Sequence, residues 1–446
     1  MSTQDVCDVL VAGGGTAGLV AAIASARAGA RTVLVEGKGY VGGIAVEGGT
    51  ALHSFYNLWK AFPGVPKRQV VQGLPLEIVN RLAERGGTTG HAEMSCGYDY
   101  DSVCTAIDTE LYKLLGHEML DEAGVDVRLN TRVVDGERSG DRVVAAFTES
   151  RAGRERVAAH SFIDATGYGD FSAYCGAAFT EPNDYPVANS IGIGGVDIDR
   201  YEQYLRDAGA LREHAVGLRS GKGGRTVRVS GSYDTLPHEF RDRARAIGMA
   251  SVTTTVHDGY FMFIKLNYKM DRSPTDRDAV VAAELELRKR QESAVALFRD
   301  LVPGCEKAFI ARTSPTLCIR RGRCIECDYD ITSDDVLSAR HFDDDILSYG
   351  FHDSAPRLQI AGGGTYGIPY RGITVSGLEN LYAVGMMITS DHDAHMSTRN
   401  TVSCMGQGEA AGIAAALCAT HSTTARGLDY STLFKALTAA GVYLES

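Results

Sequence analysis

From Val6 to Ala12 the chain is almost wholly apolar and rich in valine, the pattern of a strand buried on both faces. Gly13-Gly14-Gly15-Thr16-Ala17-Gly18 follows. A helical stretch from Leu19 to Ala28 is ended by Gly29, and a second apolar run, Thr32 to Val35, stops at Glu36. The predicted order is strand, glycine turn, helix, strand, acid. Far downstream, Phe162 to Asp164 reads as a strand ending in the turn Ala165-Thr166-Gly167. Asn380 to Gly385 reads as a short strand, and an alanine-rich helix begins near Ser403. The middle of the chain predicts strands over Ser190 to Val196 and Ser251 to Leu266. A long helix, Asp276 to Leu301, is stopped by Pro303-Gly304. Asn183-Asp184-Tyr185-Pro186 marks a crossing between units, and Gly221 to Gly224 predicts a mobile loop. The expected architecture is α/β. A discontinuous nucleotide-binding domain takes residues 1–180 and 355–446, and 181–354 form an inserted α+β substrate-side domain.

Each part of the opening unit has a physical task. Gly13 permits a tight turn, Gly15 lets backbone approach a pyrophosphate, and Gly18 lets the helix pack closely on the sheet. Unpaired amides and partial positive charge at the helix N-terminus suit phosphate. Glu36 can accept from a ribose 2′-hydroxyl and would repel a 2′-phosphate, which favours FAD or NAD over NADP. A similar glycine spacing at Gly362, Gly364 and Gly367 runs into Ile368-Pro369-Tyr370, which opens no long helix. A second dinucleotide module, and with it a dedicated NADPH domain, is therefore not expected.

The formal net charge of −11 argues against nucleic acid and anionic membrane surfaces as partners. The acidic run Asp343-Asp344-Asp345 reads as solvated surface. The apolar stretch Gly412 to Ala419 is too short to span a bilayer, and no secretory signal is read at the N-terminus. The 10 cysteines are scattered, as reduced thiols of a cytoplasmic protein would be. Cys324 and Cys327 make a C-x-x-C without further thiols near enough to complete a metal set, so no metal is expected.

Three further segments carry a resemblance: Gly39-Tyr40-Val41-Gly42-Gly43 with Gly48-Gly49, Asp164-Ala165-Thr166-Gly167 with Asp170, and Asn380 to Gly385 followed by Ser403 to Gly412. Together with the opening unit they resemble the FAD-dependent oxidoreductase family of the glutathione-reductase-like flavoproteins, the wider group that includes fumarate reductase flavoproteins. The resemblance implies a Rossmann-like FAD-binding domain. Gly13, Gly15, Thr16, Ala17 and Gly18 would cradle the pyrophosphate and Glu36 the adenosine ribose. Gly42 and Gly43 would follow the ribityl-phosphate side, and Val133 would meet adenine through its backbone. Ala165, Thr166, Gly167 and Asp170 would approach the ribose and pyrophosphate. Gly385 would lie along the ribityl chain, with helix amides at Cys404-Met405 aimed at the flavin O2.

Candidate chemistry gathers in Asp391-His392-Asp393-Ala394-His395-Met396-Ser397-Thr398-Arg399, between two expected flavin-binding segments. An imidazole there can move a proton near neutral pH, and a guanidinium can fix a carboxylate or carbonyl. His392 and Arg399 match recurring positions of the family; His395 is less usual. Arg320 and Arg323 match the family's arginine-rich turn, in which Arg321 stands where an acid is usual; Arg320 is a candidate anchor for an acidic substrate. His53, Tyr56, Asn57, Tyr366, Tyr370 and Arg371 are further pocket candidates, with ordinary packing as the competing reading. The expected function is FAD-dependent hydride transfer between flavin N5 and a small organic substrate, acids among them, by a dehydrogenase, desaturase or reductase. Alternatives are a flavin monooxygenase, which lacks here its Gly-Asp-Ala-Ala-His type of motif, and an electron-transfer subunit serving a redox partner protein. A homodimer is also compatible with the sequence.

Overall fold

The computed structural model describes residues 5–48, 51–52, 54–96, 102–250, 253–355 and 357–445. Gly49, His53, Ser251 and Val252 lie outside the described residues. The first apolar run forms the strand Asp5–Ala12, the glycine turn opens the helix Thr16–Arg27, and Thr32–Glu36 is the second strand. These sit in a seven-stranded sheet. Asp126–Leu129, Thr32–Glu36, Asp5–Ala12 and Gly153–Asp164 run parallel, and Leu381–Ala383 extends the set beside Phe162 to Asp164. Arg142–Ser150 and Arg132–Ser139 complete it as an antiparallel wing. The expected Rossmann-like α/β architecture is therefore present.

The helix Thr401–His421 packs along the helix Thr16–Arg27 at a distance that only glycine allows. A Cβ on Gly408 would stand 2.2 Å from the carbonyl oxygen of Ala17, and one on Gly412 would stand 2.3 Å from that of Ala21. Small residues on both helices thus clamp the first helix between the sheet and the C-terminal helix, which holds its N-terminus in place.

The middle of the chain forms a four-stranded antiparallel sheet, ordered Met249–Ala250, Tyr260–Tyr268, Val187–Gly194 and Phe309–Thr313. The helix Arg277–Leu301 backs it, burying Ala283, Leu287, Ala294 and Phe298 with Ile191, Ile264 and Leu266. Asp276 caps that helix by accepting from the amides of Asp278 and Ala279. The glycine-rich Gly221 to Gly224 segment, expected as a loop, is part of a β-hairpin. Gly221 closes a two-residue hairpin turn between Leu211–Arg219 and Lys222–Gly231, with Ser220 and Gly221 both at positive φ, 50° and 73°, as the right-handed strand twist favours, and Lys222 to Gly224 begin the second strand. Ala92–Cys96 and Val103–Cys104, from the N-terminal stretch of sequence, join this hairpin in a five-stranded sheet. Asp345–Tyr349 pairs with Tyr366–Pro369, and Ile346, Leu347 and Tyr349 bury themselves in the core around the first helix. Arg312 donates to the carbonyl of Val46 at 2.7 Å and Ser190 to that of Gly48 at 3.3 Å, tying the middle sheet to the nucleotide unit. Among the described residues, no helix is long and apolar enough to cross a membrane.

Candidate functional site

The parallel strands end on one edge of the sheet, and open α/β sheets bind ligands outside that edge. A cavity of about 1050 Å³ opens there. Its first part lies between Glu36, Gly15, Thr16, Gly43 and Val133. A Cβ on Gly15 would find nothing closer than 3.9 Å, so any side chain there would project into the cavity. Gly167 and Gly385 are also open, with nearest neighbours at 3.7 and 3.8 Å. The amides in the first turn of the helix Thr16–Arg27 have no intrahelical acceptor, as in every α-helix. An elongated, backbone-lined cradle with a helix N-terminus in its wall fits a dinucleotide pyrophosphate.

Glu36 completes this part. Its Oε2 accepts from the Gly14 amide at 2.7 Å and its Oε1 from the Lys38 amide at 2.8 Å. A carboxylate has about four acceptor sites, so two bonds leave capacity for ribose hydroxyls. Burial pushes its pKa up, and the amides of Lys38 and Gly14 pull it down. Gly13, Ala17, Ala165, Thr166 and Asp170 also line the cavity. Thr166 has its amide committed to the buried Asp164 at 3.0 Å, and its hydroxyl donates to the same carboxylate at 2.8 Å. Asp170 holds Arg323 at 2.6 Å, which makes Arg323 a clamp on this turn. Gly18 and Gly42 support the cradle from behind. A Cβ on Gly18 would overlap the Gly13 carbonyl oxygen at 1.8 Å, and one on Gly42 would press on Val46 and Tyr112.

The C-terminal helix meets the cavity differently from the sequence expectation. It begins at Thr401 behind Asn400, two residues earlier than expected, and Cys404 already donates its amide to the Asn400 carbonyl at 2.8 Å. Asn400, Thr401 and Cys404 line the cavity, whereas Met405 is fully buried away from it.

The other end of the cavity is cationic. Arg399, Arg320 and Lys265 line it together with Arg228 and Asp353. Arg399 is ion-paired with Asp353, and its Nε has no partner among the described residues. Arg228 is paired with the buried Glu213 at 2.7 Å. Lys265 and Arg320 both line the cavity, and neither the Lys265 ammonium nor the Arg320 guanidinium makes an ion pair or hydrogen bond with the described residues.

The two histidines of the expected catalytic loop lie behind this end. His392 is half-exposed and absent from the lining. Its Nδ1 meets Asp184 at 2.8 Å, and its ring stacks on Tyr185 with centroids 4.8 Å apart. Asp184 also takes Arg321 at 2.7 Å, which explains the arginine standing in the usual place of an acid: it ties the crossing segment to this loop. His395 is buried. Its Nε2 donates to the Arg320 carbonyl at 2.9 Å, and burial holds its pKa well below the ordinary value, so the ring is neutral. His395 therefore positions the turn that carries Arg320. His392→Ala is expected to retain FAD and to change turnover by less than about tenfold, short of the 10²–10⁴-fold typical of a lost acid–base group. Steady-state kinetics per bound flavin check this.

Cys324 and Cys327 are buried free thiols, and Cys324 accepts from Arg321 Nε at 3.3 Å. Burial pushes the Cys327 thiol up to about 12. Tyr366 and Tyr370 are core residues bonded to Ser397 and Tyr382, both at 2.8 Å. Asn57 is buried and bonded to the Pro66 and Gly363 carbonyls. Tyr56 and Arg371 pack at the surface of the fold, away from the cavity lining.

The sequence profile of the FAD-dependent oxidoreductases matches residues 8–437. The chain belongs to this family. Its cofactor is accordingly FAD, and the Gly15, Glu36 and Gly385 cradle fits it. Among solved structures the oxidoreductase is similar to a geranylgeranyl bacteriochlorophyll reductase-like protein from Thermoplasma acidophilum. The TM-score is 0.50 at 14% identity, over 98% of this chain and 83% of that one. The p-nitrophenol 4-monooxygenase PnpA from Pseudomonas putida DLL-E4 gives 0.45 at 14%, over 100% and 90%. The myxobacterial chondrochloren halogenase CndH gives 0.48 at 12%, over 97% and 78%. At these identities the likeness extends to fold alone. No curated protein sequence matches the chain.

Sequence reasoning missed Lys265, Asp353, Tyr185 and Arg228. Lys265 carried a readable signal: it is the single charged residue in Tyr-Phe-Met-Phe-Ile-Lys-Leu, and it lies two positions after Phe263, on the same strand face. Phe263 lines the cavity as well.

Proposed function

We propose that this FAD-dependent oxidoreductase transfers a hydride between its flavin and a small organic substrate, as a dehydrogenase, desaturase or reductase. The observation that carries this reading is that the dinucleotide cradle and the cationic chamber are parts of one cavity. Bound FAD supplies the two-electron chemistry. The chain's own residues bind and orient. Gly15, Glu36, Ala165 and Gly385 hold the cofactor. Arg320 and Arg399 anchor the substrate, and Leu317, Ile319, Phe351 and Met396 wall the chamber against water. Asp353 keeps the Arg399 fork in one orientation, which matters because planar, two-pronged recognition depends on it. Residues 181–354 supply most of the substrate side. A glutathione-reductase-like kinship is part of the same reading, supported by the Asp164-Ala165-Thr166-Gly167 turn and by the strand Leu381–Ala383 placing Gly385 beside it.

Anaerobic stopped-flow absorbance tests the proposal. Among saturated and unsaturated small organic molecules, one class should bleach the oxidised flavin or restore colour to the photoreduced one. NADH and NADPH at micromolar concentration should reduce it slowly, since the Gly362 to Gly367 segment forms a short turn and the strand Tyr366–Pro369 and not a second nucleotide unit. Rapid reduction by NADPH with consumption of oxygen would favour a monooxygenase instead.

A further inference from the structure

We propose that the cationic end of the cavity is a seat for the carboxylate of a flat, largely apolar organic acid, with Lys265 and Arg320 as its direct partners. The inference deepens the proposed function and rests on it. Lys265 projects from the strand Tyr260–Tyr268, where Ser190 and Ala250 flank it on the neighbouring strands, so its backbone is fixed from both sides. Arg320 comes from the turn that His395 holds through the Arg320 carbonyl. The two cations thus reach one cavity from separately anchored elements, and neither has a counter-charge of its own among the described residues. Asp353, which lines this end, is engaged by Arg399. Among the described residues at this end, Lys265, Arg320 and Arg399 share the one carboxylate of Asp353, and desolvated cations are costly unless an anion completes them. Tyr185, Phe263, Phe351 and Leu317 line the same end, which suits an aromatic or conjugated body rather than a sugar or a phosphate ester.

Charge also makes the seat responsive to pH. Burial, then the repulsion of Arg320 and Arg399, pushes the Lys265 ammonium down to about 8, while Cys318 and Asp353 act in the opposite direction. These groups face Lys265 from the turn at 318–320, the end of the helix His392–Thr398 and the loop after Asp345–Tyr349. The ammonium is present below about pH 8 and lost above it, so the contribution of Lys265 to anion binding fades as pH rises through that value.

Benzoate and its neutral isostere benzamide are suitable probes, titrated into the FAD-loaded protein and followed by the flavin difference spectrum. Benzoate should bind saturably and at least tenfold more tightly than benzamide. Lys265→Met should weaken benzoate roughly 10- to 100-fold at unchanged FAD content, and Arg320→Met should do the same independently. Lys265→Arg should restore affinity to within about threefold and abolish the fall above pH 8, because a guanidinium does not titrate there. Equal binding of benzoate and benzamide, no response to benzoate, or undiminished affinity in Lys265→Met and Arg320→Met would each overturn the carboxylate seat if FAD is in place. Protein that takes up no FAD would overturn the proposed function itself, so the two failures are separable.

Discussion

Gly15→Val is expected to strip the protein of FAD while leaving it folded. Gly15 has φ −69° and ψ −163°, an extended conformation that valine adopts without strain. Its Cβ would meet nothing closer than 3.9 Å and would face the open cavity rather than packed backbone. The isopropyl group would stand where a pyrophosphate must approach the helix N-terminus. Loss of that approach removes the close amide contacts, and a fall of roughly 100-fold or more in FAD affinity, about 3 kcal/mol, is the expected size. Flavin fluorescence titration of the apoprotein measures it, with circular dichroism as the check on folding. Native affinity in Gly15→Val would mean that the dinucleotide lies elsewhere.

Gly408→Val is expected to act through stability instead. Its Cβ would sit 2.2 Å from the Ala17 carbonyl oxygen and 2.9 Å from the Ala17 carbonyl carbon, both backbone atoms in the middle of packed helices. Neither helix can yield locally, because Gly412 repeats the contact one turn later against Ala21, Ala24 and Ser25. The helices must separate, at a cost of about 3 kcal/mol or more. Ala17 also lines the cavity, so FAD retention should fall with stability. Urea unfolding gives the number directly. A change below about 1 kcal/mol with normal flavin content would show that the two helices are not clamped at this point.

These two glycines show which parts of the molecule could be read from the chain. Gly13, Gly15 and Glu36 were legible because the cradle is built from consecutive elements within a short stretch, so spacing alone fixes who faces the ligand. Gly408 was legible as part of a small-residue helix, but its partner was not, because helix pairing across the chain leaves no local trace. The start of that helix was readable in principle: Asn400 is a good N-cap residue, and the helix begins directly behind it. The hairpin turn at Ser220-Gly221 was equally readable from its serine-glycine pair. The cationic chamber was not legible as a whole. Lys265, Arg320, Asp353 and Arg399 come from four separate segments, and only tertiary packing brings them to one cavity. His392 drew attention because it stands in a polar cluster next to Arg399. The helix His392–Thr398 instead turns it outward to Asp184, while His395, one turn on, faces inward to a backbone carbonyl.

The most direct test of the account is the flavin content of the purified and reconstituted protein. It should be yellow, bind one flavin per chain, and release FAD and no FMN on denaturation, since the Gly15 and Glu36 cradle serves the ADP half of the cofactor. Release of FMN alone, or failure to take up FAD on reconstitution, would contradict it.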